Sequence, residues 1–503
     1  MNFRFPMLQL LLLVWIEEIA KPVTSQTHKK KCIFHVIDGI IWIYYYNTLP
    51  LSQLLLETLV VLPVTYIMNL KAAASAAAIM TSSSSSSTSI IVGLNAALQK
   101  RFVLPSGNSL IPGNVHRAQE IQTGLGGKGQ DVAVTLSCLK VHKNEAENLQ
   151  LAQFVGLGGA GDTVHELVQH AMGDQALDCT VRTQASMRTC TSIVASDATT
   201  ELVEPSGTVS ANEHDELLQR IQQQSPVNAL CIMGSMPPGC PPDSYAQIYQ
   251  TVAQQKNQAT TLLCLIDAVI GLEPLLETIA SFAQKTPTTT YKTVLKINAS
   301  ELCRMVNIDK ASSETGGVAI DELVQAVQAF WKHYHQPAIT ALAITDGAHP
   351  AYLVSFAENS KGDDNENDHS SMHIHRLAIP QLSADQTLYP IGAGDSVAAG
   401  MLAAWKTLEF ADTPLLPPSL DALLKQQESS SNAHNDTNTT PTVLLKSLAF
   451  GLACGSASCL QQENSVVDLQ DVERFVREQQ QGAFELVDTF TLLDLTKELA
   501  TES

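Results

Sequence analysis

The segment Tyr389-Pro-Ile-Gly-Ala-Gly-Asp-Ser396 sets two glycines and an aspartate just ahead of an apolar helical pattern running from Val397 to Leu408. Backbone N–H groups at a helix N-terminus are unpaired, and the helix dipole there favours negative charge. Glycines let an anion come close to those groups. A carboxylate beside such a cradle is costly unless it has a task, and the obvious task is to take a proton from an attacking hydroxyl. The spacing therefore points to phosphoryl transfer with Asp395 as the general base.

Other turns carry polar groups of the same kind. Gly124-Leu-Gly-Gly-Lys-Gly129 precedes a helical pattern from Asp131 to Leu139, and Lys128 offers a point charge to an anion. Its spacing and ending are not those of a Walker A loop. Gly234-Ser-Met-Pro-Pro-Gly239 follows an apolar strand and also reads as a rigid exit turn. In Lys296-Ile-Asn-Ala-Ser-Glu301, Asn298 and Glu301 can converge on magnesium-bound water. The same pair equally fits an Asn N-cap answered by Glu three residues on. Thr345-Asp-Gly-Ala348 ends another strand, and Arg188 can grip a phosphate by a bidentate fork or stay solvated.

The elements that must position these groups alternate from Ile90 onward. Strand-like runs at Ile90–Leu94, Phe154–Leu157, Ala229–Met233, Leu262–Asp267, Thr293–Ile297 and Ile339–Thr345 are separated by helical periodicity, as in Val164, Leu167, Val168 and Met172. This predicts an α/β chain: a doubly wound, mostly parallel sheet with helices on both faces, three layers in all. The turns above then fall at the carboxyl ends of strands, the edge where open α/β sheets bind ligands. Two stretches, about 98–123 and 186–211, read instead as short strands of a small sheet suited to be a lid. Residues 358–371 and 412–442 read as low-complexity surface insertions.

The chain has 503 residues and a formal net charge of −20, which argues against nucleic-acid or anionic-membrane partners. Its ten cysteines form no Cys-x-x-Cys pair, as expected for a reducing compartment. Residues 1–88 form an N-terminal extension ending in an Ala/Ser linker at 71–89. Met7–Ile16 has the length of a signal-peptide core, and Leu51–Leu70 is apolar but broken by Gln53, Glu57 and Pro63. Three readings compete: a targeting leader, a membrane anchor, or a gene-model extension with the functional start at Met68 or Met80. The last is favoured, with a cytoplasmic location.

The ordered set Gly-Gly-Lys-Gly, Gly-Ser-x-Pro-Pro-Gly, Lys-x-Asn-x-x-Glu, Thr-x-Gly-Ala and Gly-Ala-Gly-Asp-Ser resembles the PfkB (ribokinase-like) carbohydrate kinases over about residues 89–495. Leu94-Asn-Ala-Ala-Leu98, Met187-Arg188 and Thr200-Glu201 resemble the branch of 1-phosphofructokinases and tagatose-6-phosphate kinases. The resemblance implies Asp395 as base and Gly392, Ala393 and Gly394 as the backbone anion hole. It implies Lys296, Asn298, Glu301, Thr345 and Gly347 on the ATP side, with Glu301, and Asn298 through water, organising Mg2+. Gln99, Gly127, Lys128, Asp131 and Arg188 fall on the sugar side, Lys128 and Arg188 facing an existing phosphate. The helix from Thr442 to Leu460 would flank the adenine. A monovalent cation and a homodimer through the lid are further expectations.

Three residues depart from the family pattern. Gln99 stands where the branch has Asp, Asp131 where the family has Asn, and Tyr389 where Asn precedes the catalytic motif. A carboxylate lost at 99 and gained at 131 reads as a compensated charge swap that still binds a polyol. The expected activity is ATP-dependent phosphorylation of a sugar phosphate hydroxyl. The alternatives are a kinase for an unphosphorylated sugar or nucleoside, and a catalytically silent kinase-like interaction protein.

Overall fold

The computed structural model describes residues 30–37, 40–47 and 59–63, and then 87–139, 147–224, 226–255, 261–285, 290–308, 317–334, 338–356, 371–383, 387–410, 416–426, 440–480 and 485–491. The chain divides into two compact units, Met1–Ser84 and Ser85–Ser503. In the first, β1 (Lys30–Ile37), β2 (Ile40–Asn47) and β3 (Leu59–Pro63) form an antiparallel sheet in that order. The apolar stretch Leu51–Leu70 thus contributes a strand, where Val60 and Val61 suit the β region. Met7–Ile16 lies outside the described residues. No helix among the described residues is long and apolar enough to cross a membrane.

The second unit is the expected three-layer α/β/α arrangement. Its strands are β4 (Ser87–Val92), β7 (Glu147–Gly156), β8 (Thr180–Thr183), β11 (Val227–Met233), β12 (Thr261–Asp267), β13 (Thr290–Asn298), β14 (Ala341–Asp346), β15 (His349–Phe356), β16 (Ser371–Leu377) and β17 (Glu485–Thr491). They form a ten-stranded sheet, ordered β17-β16-β15-β14-β13-β12-β11-β4-β7-β8. The run from β14 to β8 is parallel, and β15, β16 and β17 add antiparallel pairs at the other edge. Period-two alternation sends Ile90 and Val92 to one face and Ile91 to the other. Likewise Leu262, Cys264 and Ile266 oppose Leu263 and Leu265. Both faces are apolar because both are covered by helices.

The helices are α1 (Lys128–Leu139), α2 (Gly159–Met172), α3 (Ala211–Gln222), α4 (Ser244–Gln254), α5 (Leu272–Lys285), α6 (Ala299–Met305), α7 (Ile320–His333), α8 (Ala393–Glu409), α9 (Pro418–Gln426), α10 (Thr440–Ser458) and α11 (Leu469–Gln480). A separate four-stranded sheet, ordered β10-β9-β5-β6, comprises β5 (Ala97–Val103), β6 (Glu120–Gly126), β9 (Thr189–Val194) and β10 (Thr199–Val203). Two boundaries differ usefully from the sequence pattern. Both α1 and α8 begin earlier than their apolar periodicity, so Lys128 and Asp395 sit inside first helical turns. One expectation is corrected. The stretch 412–442 contains α9, with Leu416, Leu420, Leu423 and Leu424 buried in the core. Its Pro/Ser-rich surroundings mask a helical i, i+3, i+4 leucine pattern.

The placement of α8 follows from close packing. A Cβ on Gly451 would strike the Val397 carbonyl and Met401, and one on Gly455 would strike the Val397 side chain and the Ala393 carbonyl. Glycine at these two positions lets α10 lie against the backbone of α8. Inside the core, the fully buried Lys406 ammonium of α8 donates to Ser89 Oγ of β4 at 2.8 Å. Its C-terminal Glu409 pairs with Lys292 of β13 at 2.6 Å. Overpacking a tight helix contact costs about 1–3 kcal/mol. Gly455→Val should therefore lower the unfolding free energy by about that amount in chemical denaturation; a stability equal to wild type would mean that α10 does not set the position of α8.

Candidate active site

A cavity of about 410 Å³ opens at the carboxyl ends of β4, β11 and β12, beneath the small sheet. Its floor is built from two helix starts. Gly392 caps α8 in the left-handed region at φ 84°, and a side chain there would collide with Ser465 Oγ. The turn it makes puts Asp395, half-buried, in the first turn of α8. The α1 start supplies Gly127, Lys128 and Asp131. The two helices are joined underneath by Thr135 and Ser396, whose hydroxyls lie 3.0 Å apart. Thr135 also donates to the Ser465 carbonyl at 2.6 Å.

Asp267, at the end of β12, organises the charges. It is 2% exposed and takes Lys128 on Oδ1 at 2.7 Å and Lys296 on Oδ2 at 2.5 Å. Burial alone would raise its pKa, but Lys296 and Lys128 reverse this and hold it below the usual carboxylate range. Burial likewise opposes the charge on Lys128, yet Asp267, with Glu301 and Asp395 beyond, raises its pKa overall. Lys128 lies 3.8 Å from Glu301. Asp395 is pushed up to about 7, first by burial and then by Asp267, with Lys296 and Lys128 offsetting part of the rise. A carboxylate near neutrality in a cleft is the pattern of a general base.

The cavity gathers eight of the residues expected from the sequence: Gln99, Gly127, Lys128, Asp131, Arg188, Glu301, Gly392 and Asp395. Six others do not line it. Lys296 sits behind Asp267, with its ammonium near Gly394. The Ala393 N–H donates to the Pro390 carbonyl at 3.1 Å, so this member of the expected anion hole is engaged within its own turn. Asn298 and Glu301 form a reciprocal capping box at the start of α6, the second of their two sequence readings. Asn298 and Thr345 are paired in register on β13 and β14, and Gly347 turns the chain into β15 at φ 59°. Arg188 spends Nη2 on the Asn95 carbonyl at 2.6 Å and Nε on the Ala96 carbonyl at 3.3 Å. Gln99 donates to Ser192 Oγ at 2.7 Å.

Several residues in and around the cavity were given no site role from the sequence. Asp267 could have been, as an acid closing an apolar strand at the ligand edge. Glu201 and Cys190 enter from β10 and β9, and Asn95 from the turn after β4, where it donates to Ser235 Oγ at 3.0 Å. Ser465 is a buried non-glycine at φ 58°, a strained backbone of the kind that collects at working sites. Arg101 of β5 donates to the Gln462 carbonyl and to Asn464 Oδ1, and its guanidinium lies 5.5 Å from the Tyr389 ring centroid. Tyr389 thus offers a ring face to a cation.

Residues 99–466 match the pfkB family carbohydrate kinase family. The chain belongs to that family. Solved structures of the same fold include phosphofructokinase-2 from Escherichia coli in complex with potassium, 18% identical, TM-score 0.52, covering 78% of this chain and 99% of that one. A possible 1-phosphofructokinase from Thermotoga maritima is 16% identical with TM-score 0.51, covering 80% and 100%. Ribokinase from Giardia lamblia is 13% identical with TM-score 0.50, covering 77% and 99%.

The environment of Asp395 has a stability consequence. An unfolded Asp ionises near its ordinary value of about 3.9, whereas here the folded value is about 7. Between these values the folded state binds more protons, so stability falls as pH rises through that window. Asp395→Asn should raise the melting temperature at about pH 8 and barely change it at about pH 4, by calorimetry. A variant no more stable than wild type at about pH 8 would show that this carboxylate is not under strain.

Proposed function

We propose that this carbohydrate kinase transfers the γ-phosphoryl group of ATP to a hydroxyl of a phosphorylated ketohexose of the fructose 1-phosphate or tagatose 6-phosphate type. The observation that carries the reading is Asp395 held near neutral pKa at the mouth of α8, with Lys128 and Lys296 gathered beside it by Asp267. A hydroxyl placed over Asp395 can give up its proton as attack begins. General-base help of this kind contributes about 10²–10⁴ in rate. Lys128 and the N–H groups of the α8 mouth face the charge that develops on the transferring group, where fixed dipoles and cations act most strongly.

Five acids (Asp131, Glu201, Asp267, Glu301 and Asp395) and two cations (Lys128 and Arg188) line the cavity, so a phosphate-bearing ligand needs its own countercharge. Magnesium bound with ATP supplies that charge. Glu301 fits a role in holding it, because its carboxylate reaches the cavity while Asn298 fixes the start of α6 behind it. Thr345 and Gly347 extend the same strand-end row and suit the nucleotide phosphates. The small sheet, pinned through Arg101 to the 462–464 segment, would act as the lid that excludes water. A homodimer through the outer face of that sheet is consistent with its exposed Ile121 and Leu202.

A second reading rests on a specific observation. Lys128 is already paired with Asp267, and Arg188 with two carbonyls, which favours an unphosphorylated sugar. The names of the similar structures span phosphofructokinases and a ribokinase, so the shared fold does not choose. Sugar-dependent ADP release decides. Fructose 1-phosphate or tagatose 6-phosphate should give a kcat/KM at least about tenfold above fructose, with Asp395→Asn lowering kcat by about 10²–10⁴. Preference for the free sugar would select the second reading. Near-full turnover in the variant would remove Asp395 as base.

A further inference from the structure

Most hydrogen-bond donors of the active-site cavity are already committed. Six side chains that line it carry nitrogen donors: Asn95, Gln99, Lys128, Gln130, Arg188 and Asn464. Lys128 donates to Asp267, Arg188 to the Asn95 and Ala96 carbonyls, Asn95 to Ser235 and Gln99 to Ser192. Gln130 donates to the Gly93 carbonyl and to Gln153. Among the described residues Asn464 takes part only as an acceptor, from Arg101.

Arg101 decides which end of that amide is left over. It is 3% exposed, on the inner strand β5 of the small sheet, and forms no ion pair among the described residues. Nη1 donates to the Gln462 carbonyl and Nη2 to Asn464 Oδ1, and the Tyr389 ring lies against the guanidinium. A guanidinium has donors only, so it must meet the amide at its oxygen. The Nδ2–H pair of Asn464 thus remains uncommitted, on a half-buried residue of the cavity wall. A carboxylate at this position would satisfy Arg101 more strongly but would have nothing to donate. Arg101 itself borders a second cavity of about 520 Å³ and not the active-site cavity, so it reaches a ligand there only through Asn464. Gln99 and Arg101 share one face of β5, which sets Asn464 beside the strand face that brings Gln99 to the cavity.

We propose that Asn464 is a specificity-determining residue whose Nδ2 donates to a ring or hydroxyl oxygen of the bound sugar, with Arg101 as the positioning residue that turns the amide to do so. The proposal rests on the sugar kinase reading above. The five carboxyl side chains of the cavity offer acceptors; Asn464 supplies the opposite polarity. The next residue, Ser465, donates to the Gly392 carbonyl at 3.2 Å, which fixes this segment against the mouth of α8 where Asp395 stands.

The test is calorimetric titration of fructose and of fructose 1-phosphate into the full chain without ATP. Asn464→Asp keeps the oxygen that Arg101 needs and removes the donor; Asn464→Leu removes the donor without adding charge. Each should weaken both sugars about tenfold, equivalent to about 1.4 kcal/mol. In turnover the sugar KM should rise as much while kcat falls less than about threefold. Unchanged affinity in Asn464→Asp, or a loss confined to fructose 1-phosphate as charge repulsion would give, overturns the donor role. Asn464→Asp should also melt at or above the wild-type temperature; a lower one overturns the orientation by Arg101. Arg101→Met should weaken binding about as much as Asn464→Leu, and the double variant no more than either alone. Losses that multiply overturn the positioning role. Sugar binding without ADP release would sink the kinase reading and leave Asn464 to be judged on the affinities. A wild type that binds neither sugar overturns both.

Discussion

The site depends on one ion-pair cluster, Asp267 with Lys128 on one oxygen and Lys296 on the other. A lone carboxylate this deeply buried would take a proton; two ammonium groups keep it charged. In return it fixes two cations from different elements, one on helix α1 and one on strand β13. The same negative charge helps lift Asp395 to about 7. Asp267 thus gathers two ammonium groups and raises the pKa of the neighbouring carboxylate, the two conditions on which the proposed phosphoryl transfer rests.

That cluster is held in register by packing that has no chemistry of its own. The parallel strands bring Asp267 and Lys296 to one edge because the sheet buries alternating residues on two faces, and a one-residue slip would turn both away. The glycine contacts of α10 set the backbone of α8, and buried Lys406 ties that helix to β4. Gly392 and Ser465 are both left-handed and meet at the start of α8, but only Ser465, a non-glycine, is strained there. The stability lost at this corner is the usual cost of bringing acids together in a working site.

Much of this was legible in the sequence, and for physical reasons. The sheet was readable because buried parallel strands are continuous apolar runs, and the glycine turns were readable because a helix mouth that admits an anion cannot tolerate side chains. Asp267 was hidden because an acid at the end of a strand has no local pattern; its meaning comes from Lys128 and Lys296, 139 and 29 residues away. Ser465 and Arg101 were hidden likewise, since their partners are far off in the chain. Residue type did not reveal the setting of Asp131 either: burial first, and then Asp395, push its pKa above the usual carboxylate range. The packed leucines of α9 were lost in a composition that resembles linker.

The most direct test of the central claim is the acid limb of kcat/KM in Asp267→Asn. Neutralising Asp267 removes a charge that raises the pKa of Asp395 and releases two lysines that lower it. The limb should therefore move from about 7 toward lower pH by about one unit or more, each unit being about 1.4 kcal/mol of interaction. A limb that stays at the wild-type pH, with only its height reduced, would contradict the account and leave Asp267 as a structural anchor alone.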